Sequence, residues 1–262
     1  MSTLPQIMIA PNGARRGKQD HPALPVTIAE TVDTVVSCHQ AGAGGAHLHV
    51  RDKHGAHSLD AGLYRELLDE LSLVAPDLIA QITTEAVGMY TSQQQQALLR
   101  DLRPDFASVA LREITDGETE TNVRAFFHWA AEAGIGIQHI LYTPDEVAVL
   151  ADLVNRDIIP ATTLEAMLVL GRYTKGQKSG PEDLDPYLTK MTQTGLTANW
   201  AVCAFGQRET DCLVKAVALG GKARIGFENN LHNADGTLAR DNAQRVSELV
   251  AAIRANEVAV SA

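Results

Sequence analysis

The chain alternates short apolar runs with longer segments in which apolar residues recur at helical spacing. The first run, at residues 6–10, predicts a buried strand that ends at the turn Pro11-Asn12-Gly13. The next segment begins with the capping box Thr27-Ile-Ala-Glu30 and predicts a helix. Its core-facing stripe consists of Ile28, Val32, Val35 and Val36. The helix stops at the glycine-rich segment 42–45, and a second predicted strand follows at 46–50, which completes a βαβ unit.

The same alternation continues to the end of the chain. It predicts further strands at residues 78–83, 106–110, 136–142, 166–170, 197–202 and 223–227. It predicts further helices at residues 63–74, 92–102, 122–133, 144–155, 181–195, 210–218 and 242–255. For the strand at 166–170, the apolar group Ile158-Ile159-Pro160 is a competing assignment. Eight strands and eight helices over about 250 residues predict a single-domain (β/α)8 TIM barrel spanning 1–262, with a doubly wound open sheet as the alternative.

Composition supports parallel strands covered by helices, because small and branched apolar residues dominate while aromatic residues make up only 5%. The formal net charge of −10 argues against an unaided nucleic-acid or anionic-membrane surface. The cysteines Cys38, Cys203 and Cys212 are odd in number and lack metal-finger spacing, which favours a reducing compartment. Since the N-terminus lacks signal-peptide character and no apolar run approaches about 18 residues, we expect a cytoplasmic protein.

His47 and His49 lie one residue apart in the second predicted strand. In a strand their side chains point to one side, and the apolar residues between them point to the other. Two imidazoles placed in this way can reach one metal ion. The alternative is a pair of hydrogen-bonded interior histidines.

Glu228 can supply a third ligand. Along the last predicted strand, alternation places Arg224, Gly226 and Glu228 on one side. In a closed barrel the second and eighth strands both flank the first, so Glu228 can converge with the two histidines. Two histidines and one carboxylate leave open positions for substrate, as catalytic zinc sites do. The alternative pairs Glu228 with Arg224.

Other candidates lie where strands end, which is the catalytic side of a barrel. Thr83 ends the third strand and can donate a hydrogen bond to a substrate oxygen, or it can simply fill the core. Glu85 lies in the loop that follows, and Ser108 on the fourth strand is a further candidate for substrate contact. The basic segment Arg15–Lys18 follows the first strand and is either an anion site or a solvated loop.

Two glycine runs, 42–45 and 220–221, lie after a helix and before a strand, where they favour tight turns over phosphate binding. Serine and cysteine nucleophiles have no recognisable elbow or base. Several histidines lack partners at ligand spacing and are expected on the surface or in the core. They are His21, His54, His57, His128, His139 and His232.

Five segments resemble the β-keto acid cleavage enzyme family, in the same order and over nearly the whole chain. They are residues 11–14, 21–27, 42–52, 81–84 and 220–230. The HLHVRD sequence at 47–52 and the RxGxE sequence at 224–228 are together quite specific. The resemblance implies a zinc-dependent (β/α)8 barrel, usually a homotetramer. It implies the conversion of a β-keto acid and acetyl-CoA to acetoacetate and a new acyl-CoA.

The resemblance also implies roles for individual residues. It places the zinc ligands at His47, His49 and Glu228, the catalytic arginine at Arg224, and the hydroxyl of the third strand at Thr83. Cleavage of the carbon–carbon bond develops enolate charge, which a divalent metal stabilises. Since the pKa of arginine exceeds about 12, we expect Arg224 to act electrostatically and not as a base.

Three positions depart from the family pattern. Arg15 stands where the amino-substrate member carries a glutamate that binds the substrate ammonium, so an anionic or neutral polar β-keto acid is expected. Asn229 stands where an acid usually partners the catalytic arginine, and it can still orient Arg224 by a hydrogen bond. Glu85, where the family often has glycine, can neutralise Arg15 or bind a cation.

Two alternative functions stay open at this point. A metal-dependent aldolase or hydrolase would use the same ligands without CoA. A non-catalytic, metal-stabilised or ligand-sensing barrel would bind metal and turn over no β-keto acid.

Overall fold

A computed structural model describes residues 3–162 and 164–261. The strands are β1 Ile7–Ile9, β2 Gly45–Leu48, β3 Val50–Arg51, β4 His57–Ser58, β5 Ile79–Thr83, β6 Phe106–Ala110, β7 Gly136–Leu141, β8 Glu165–Leu170, β9 Asn199–Ala204 and β10 Lys222–Ile225. The helices are α1 Ile28–Gln40, α2 Ala61–Val74, α3 Ser92–Leu102, α4 Leu111–Ile114, α5 Glu120–Glu132, α6 Pro144–Asn155, α7 Asp185–Thr194, α8 Glu209–Ala218 and α9 Asn242–Ser261. A 3-10 turn, Pro181–Leu184, precedes α7. The predicted domain also includes residues 1, 2, 163 and 262, which lie outside the described residues.

In the described part of the chain, eight parallel strands close into a barrel in the order β1-β10-β9-β8-β7-β6-β5-β2. The strand β1 pairs with β10 on one side and with β2 on the other. Helices follow the strands along the chain, as in a TIM barrel. The (β/α)8 prediction is therefore confirmed, and the open-sheet alternative is wrong because no strand edge is left unpaired in this barrel.

The predicted capping box begins the first helix. The Thr27 side chain accepts a hydrogen bond from the Glu30 N–H, and the Glu30 carboxylate accepts from the Thr27 N–H. Val32 and Val35 are buried on the core-facing side of α1. The contested strand at 166–170 is also confirmed as β8, whereas the competing group 158–160 follows the end of α6.

The second strand is shorter than predicted. Pairing between β2 and β5 ends at Leu48, and Val50–Arg51 instead pairs antiparallel with His57–Ser58. His49 therefore lies at the break between the barrel and the β3–β4 hairpin. The hairpin and the short helix α4 were both missed in the sequence, because each consists of only a few residues.

Apolar and polar side chains both fill the barrel interior. Leu4, Met8 and Phe106 form one apolar cluster, and the Gln81 amide donates to the Gln138 Oε1 at 3.2 Å. At the N-terminal face, an added Cβ at Gly45 would lie 2.8 Å from the Ile79 carbonyl oxygen. The predicted structural role of the first glycine run therefore fits its contacts.

The described cysteines are buried and unpaired. Within residues 3–162 and 164–261, no helix combines the length and apolar character that crossing a bilayer requires.

Candidate active site

His47, His49 and Glu228 meet at the C-terminal end of the barrel. The Nε2 atoms of the two histidines lie 3.2 Å apart. The Glu228 Oε2 atom lies 3.6 Å from His47 Nε2 and 3.5 Å from His49 Nε2. Both imidazoles are buried, so the three potential ligand atoms face one another with little competing water.

A tight turn, and not the strand itself, positions Glu228. The strand β10 ends at Ile225, two residues earlier than predicted, because Gly226 has a φ of 141°. An added Cβ at Gly226 would lie 2.4 Å from the Ala10 carbonyl oxygen, so only glycine allows this approach to β1. The Glu228 N–H then donates to the same carbonyl at 3.1 Å, which holds the carboxylate beside the histidines.

Hydrogen bonds behind His47 orient its ring. Its Nδ1 lies 2.9 Å from the Gln81 Oε1, which leaves Nε2 directed at Glu228. Burial and the nearby Arg224 guanidinium hold the pKa of His47 well below its ordinary value. Burial would raise the pKa of Glu228, but Arg224 and the two histidines hold it well below its usual range. A neutral His47 and an ionised Glu228 are the protonation states that metal binding requires.

The cluster fits a zinc ion by donor type and by spacing. Two ligand atoms about 2.0–2.2 Å from a tetrahedral ion lie roughly 3.3–3.6 Å apart. The distances within the cluster run from 3.2 to 3.6 Å. The buried Glu228 Oε2 has no hydrogen-bond partner among the described residues, which is expected of an atom reserved for a ligand.

A cavity of about 190 Å³ opens beside the cluster. His47 and Glu228 line it, together with side chains from the loops after several strands. Its charged lining within the described chain comprises Glu85, Glu228, Arg15, Arg16, Arg172 and Arg224. Four guanidinium groups against two carboxylates make the cavity electropositive, although the chain as a whole carries −10.

Arg224 presents unpaired donors to this cavity. Its Nη2 lies 3.6 Å from the Glu228 Oε1 and 3.4 Å from the Cys203 Sγ. Its buried Nε and Nη1 atoms have no hydrogen-bond partner within the described residues. Unpaired guanidinium donors in a buried site favour an anionic or carbonyl ligand.

Thr83 and Glu85 both line the cavity, as predicted. The Thr83 hydroxyl accepts a hydrogen bond from the Glu85 N–H at 3.0 Å, so its own proton stays available. The Glu85 carboxylate lies 3.9 Å from the Arg172 Nη2 and 4.0 Å from the His49 Nδ1. Arg172 is thus the cation that Glu85 meets, and Arg15 lies exposed at the cavity wall without an ion pair to any described residue.

Two predicted residues lie elsewhere. Ser108 does not line the cavity, because it is buried on β6 with its hydroxyl 3.5 Å from the His47 Nδ1. Asn229 does not contact the Arg224 guanidinium. Its amide instead donates to the Arg224 main-chain carbonyl at 3.3 Å, and the residue lies outside the cavity lining.

Sequence reasoning missed two arginines that shape the site. Arg51 donates to the main-chain carbonyls of Gly13 and Arg16, so it holds the loop after β1. Arg172 follows β8 and stacks near Phe205, with 5.1 Å between the guanidinium carbon and the ring centre. Its position just past a strand end was an available signal. His57, expected on the surface or in the core, is buried, and its ring centre lies 5.2 Å from that of His49.

Comparison with known proteins connects this geometry to a family. A profile described as beta-keto acid cleavage enzyme matches residues 6–261. The chain belongs to the beta-keto acid cleavage enzyme family. It is therefore an enzyme of the acyl-transferring, carbon–carbon bond-cleaving type, which confirms the resemblance.

Curated members of the beta-keto acid cleavage enzyme family align with most of the chain. The 3-keto-5-aminohexanoate cleavage enzyme of Fusobacterium nucleatum is 26% identical over 245 residues, which cover 91% of this chain and 87% of the relative. The 3-oxoadipate:acetyl-CoA acetyltransferase of Cupriavidus necator is 25% identical over 252 residues, which cover 94% of this chain and 87% of the relative.

Solved structures agree with the fold. A ternary complex of ObcA with a C4-CoA adduct and oxalate superposes with a TM-score of 0.72 at 17% identity. The match covers 90% of this chain and 65% of ObcA, so the chain spans about two thirds of that longer protein.

Proposed function

We propose that this family member converts a β-keto acid and acetyl-CoA to acetoacetate and a new acyl-CoA, with zinc held by His47, His49 and Glu228. The observation that carries the proposal is the ligand cluster, which opens onto an electropositive cavity. The relative named 3-oxoadipate:acetyl-CoA acetyltransferase supports acetyl-CoA as the co-substrate. The family resemblance supports a cytoplasmic homotetramer, which light scattering on the purified protein tests for subunit number.

Zinc, when bound, would supply Lewis-acid stabilisation of the negative charge that develops on substrate oxygens. The protein supplies further donors at the same place. The free N–H groups of Arg224 can donate to the substrate carboxylate or keto oxygen. The Thr83 hydroxyl can donate as well, because it already accepts from the Glu85 N–H.

Glu85 is the group placed to accept the proton that the substrate must lose. The lining holds two carboxylates among the described residues, and Glu228 belongs to the metal cluster. Burial raises the pKa of the Tyr142 hydroxyl, so this other lining group stays protonated. The Glu85 carboxylate accepts no hydrogen bond from the described residues apart from its long ion pairs at 3.9 and 4.0 Å, so its oxygens are available.

In the proposed reaction each bond that forms is matched by one that breaks, and the Glu85 carboxylate ends in its starting state. The carbon between the keto and carboxylate groups loses a proton to Glu85, and its electron pair attacks the acetyl-CoA carbonyl with release of the CoA thiolate. The thiolate then attacks the original keto carbon, and the carbon–carbon bond breaks. Glu85 returns its proton to the carbanion, which gives acetoacetate and the new acyl-CoA.

The arginines select the substrate class. Arg15 and Arg172 lie at the cavity, so a β-keto acid with an anionic or neutral polar tail is favoured over a cationic one. The relative named for 3-oxoadipate acts on a β-keto acid with two carboxylates, which agrees with this charge pattern.

A substrate panel tests the proposal. Acyl-CoA formation is measured for cationic, neutral and anionic β-keto acids, each with and without acetyl-CoA. The expected result is CoA-dependent turnover that is fastest with anionic or neutral polar acids. Turnover without acetyl-CoA would instead indicate an aldolase or hydrolase. Zinc-dependent stability without any turnover would indicate a ligand-sensing barrel.

A further inference from the structure

The loop of residues 171–180, which follows β8, forms part of the cavity wall through Arg172 and Gln177. It contains Arg172, Lys175 and Lys178 and no acidic residue. Such a concentration of positive charge is unusual in a chain with a net charge of −10. Neither lysine forms an ion pair with any residue that the structure describes, so both remain available to an anion.

Hydrogen bonds connect the loop to itself and to the end of β9. The Thr174 hydroxyl lies 2.9 Å from the Gly171 carbonyl oxygen and accepts from the Lys178 N–H at 2.9 Å. The Ser179 hydroxyl donates to the Phe205 carbonyl at 2.7 Å, which attaches the loop to the end of β9. The lysines therefore extend from an ordered support, which reduces the entropy that ligand binding would cost.

An exposed aromatic ring lies in the same loop. The Tyr173 side chain is 66% exposed, although its ring centre lies only 5.2 Å from that of Tyr142. The Arg112 guanidinium lies 4.7 Å from the Tyr142 ring centre and 5.3 Å from the Tyr173 ring centre. A large ring that is held in place yet left exposed is suited to stack on a planar ligand group.

We infer that loop 171–180 is the docking surface for the adenosine phosphate portion of acetyl-CoA. Tyr173 stacks on the adenine ring, and Lys175 and Lys178 bind the phosphates. The thioester end then enters the cavity past Arg172 and Gln177. The nucleotide end of acetyl-CoA carries anionic phosphates and a planar base. The loop offers positive charge and an exposed aromatic ring for these groups, and it continues into the cavity wall. The inference rests on the proposed use of acetyl-CoA.

Direct binding measurements test the inference without relying on turnover. Calorimetric titration of the zinc-loaded protein with CoA gives one dissociation constant, and titration with pantetheine, which lacks the nucleotide, gives another. We expect Tyr173→Ala to raise the Kd for CoA about tenfold, and Tyr173→Phe, which keeps the ring, to stay within about twofold of the wild type. Pantetheine should bind all three proteins equally.

The lysines are tested by a double variant, with a single lysine substitution outside the loop as the control. The double variant Lys175→Ala, Lys178→Ala should raise the Kd for CoA about tenfold. It should also lower the slope of log Kd against log salt, because fewer screened charge contacts remain. The control is Lys53→Ala, which removes one positive charge from the hairpin after β2. Because β2 lies opposite β8 in the barrel, this variant should leave CoA binding unchanged.

Two results would overturn the inference: CoA binding that none of the loop variants weakens, and the absence of CoA binding by the wild-type protein. Loop-dependent CoA binding together with a lack of acyl-CoA formation would leave the docking surface standing and refute the proposed reaction alone.

Discussion

The two cavity carboxylates have different surroundings, and this difference supports the roles proposed for them. The Glu228 carboxylate lies within 3.6 Å of two imidazoles and of Arg224. The Glu85 carboxylate lies farther from any partner, at 3.9 Å from Arg172 and 4.0 Å from His49. The first is suited to hold a metal, and the second is free to receive a proton.

Replacing Glu85 separates the two roles. The change Glu85→Gln keeps the shape of the side chain and removes the proton acceptor, so we expect kcat to fall by about 10²–10⁴-fold. Zinc content, measured by mass spectrometry, should stay at the wild-type level because Glu228 is untouched. Wild-type turnover in this variant would show that another group accepts the proton.

We propose that Arg15 sets the sign of charge that the cavity prefers. Because Arg15 is exposed at the cavity wall, Arg15→Glu should reverse the local preference without affecting the fold. We expect kcat/KM to fall about tenfold for an anionic β-keto acid and to rise for an amino-substituted one.

The control for this prediction is Arg254→Glu, which makes the same change in net charge on the exposed side of α9. It should leave the preference unchanged. If both variants kept the wild-type order of substrates, Arg15 would have no part in selection.

At the scale of the element, strand type and order follow from the sequence, but strand ends do not. Alternating apolar runs and capped helices predict the eight barrel strands within a few residues, whereas the short β3–β4 hairpin was missed. The end of β2 at Leu48 depends on pairing with β5, and the end of β10 at Ile225 depends on the positive φ of Gly226; the apolar pattern records neither. Ser108 lies within β6, whose bounds match the prediction, but its hydroxyl lies 3.5 Å from the His47 Nδ1 and outside the cavity lining, which no local pattern records.

The strand β7 carries a buried histidine that makes folding pH-dependent. Burial lowers the pKa of His139 from 6.5 to about 4. As the pH falls below 6.5, this histidine becomes protonated in the unfolded chain, while in the folded chain it stays neutral until the pH approaches 4. The free energy of unfolding therefore falls as the pH drops from 6.5 to 4, and this contribution is constant below 4.

A pair of variants measures this contribution. Urea denaturation at pH 7.5 and at pH 5.0 gives the free energy of unfolding of each protein. Between these two pH values, the wild type should lose roughly 2 kcal/mol more than His139→Leu. The exposed His54 provides the control, since His54→Leu should retain the wild-type dependence. An identical pH dependence in wild type and His139→Leu would contradict the assignment.

At the scale of the whole molecule, barrel closure is what assembles the site. His47 and Glu228 are 181 residues apart along the chain, and they meet because β1 pairs with both β2 and β10. This convergence was predictable from the topology of a (β/α)8 barrel. The contribution of Arg51 was not, because it depends on the conformation of the loop after β1, whereas the position of Arg172 just past β8 was an available signal.

The central claim is that the cluster of His47, His49 and Glu228 holds zinc for a CoA-dependent cleavage. Zinc content and acyl-CoA formation in His49→Ala test it most directly, with His57→Ala as the matched control for removing a buried neighbouring imidazole. We expect about one zinc per chain in the wild type and in His57→Ala. In His49→Ala we expect loss of most of the zinc and of acyl-CoA formation. A His49→Ala protein that keeps both its zinc and its full activity would contradict the claim.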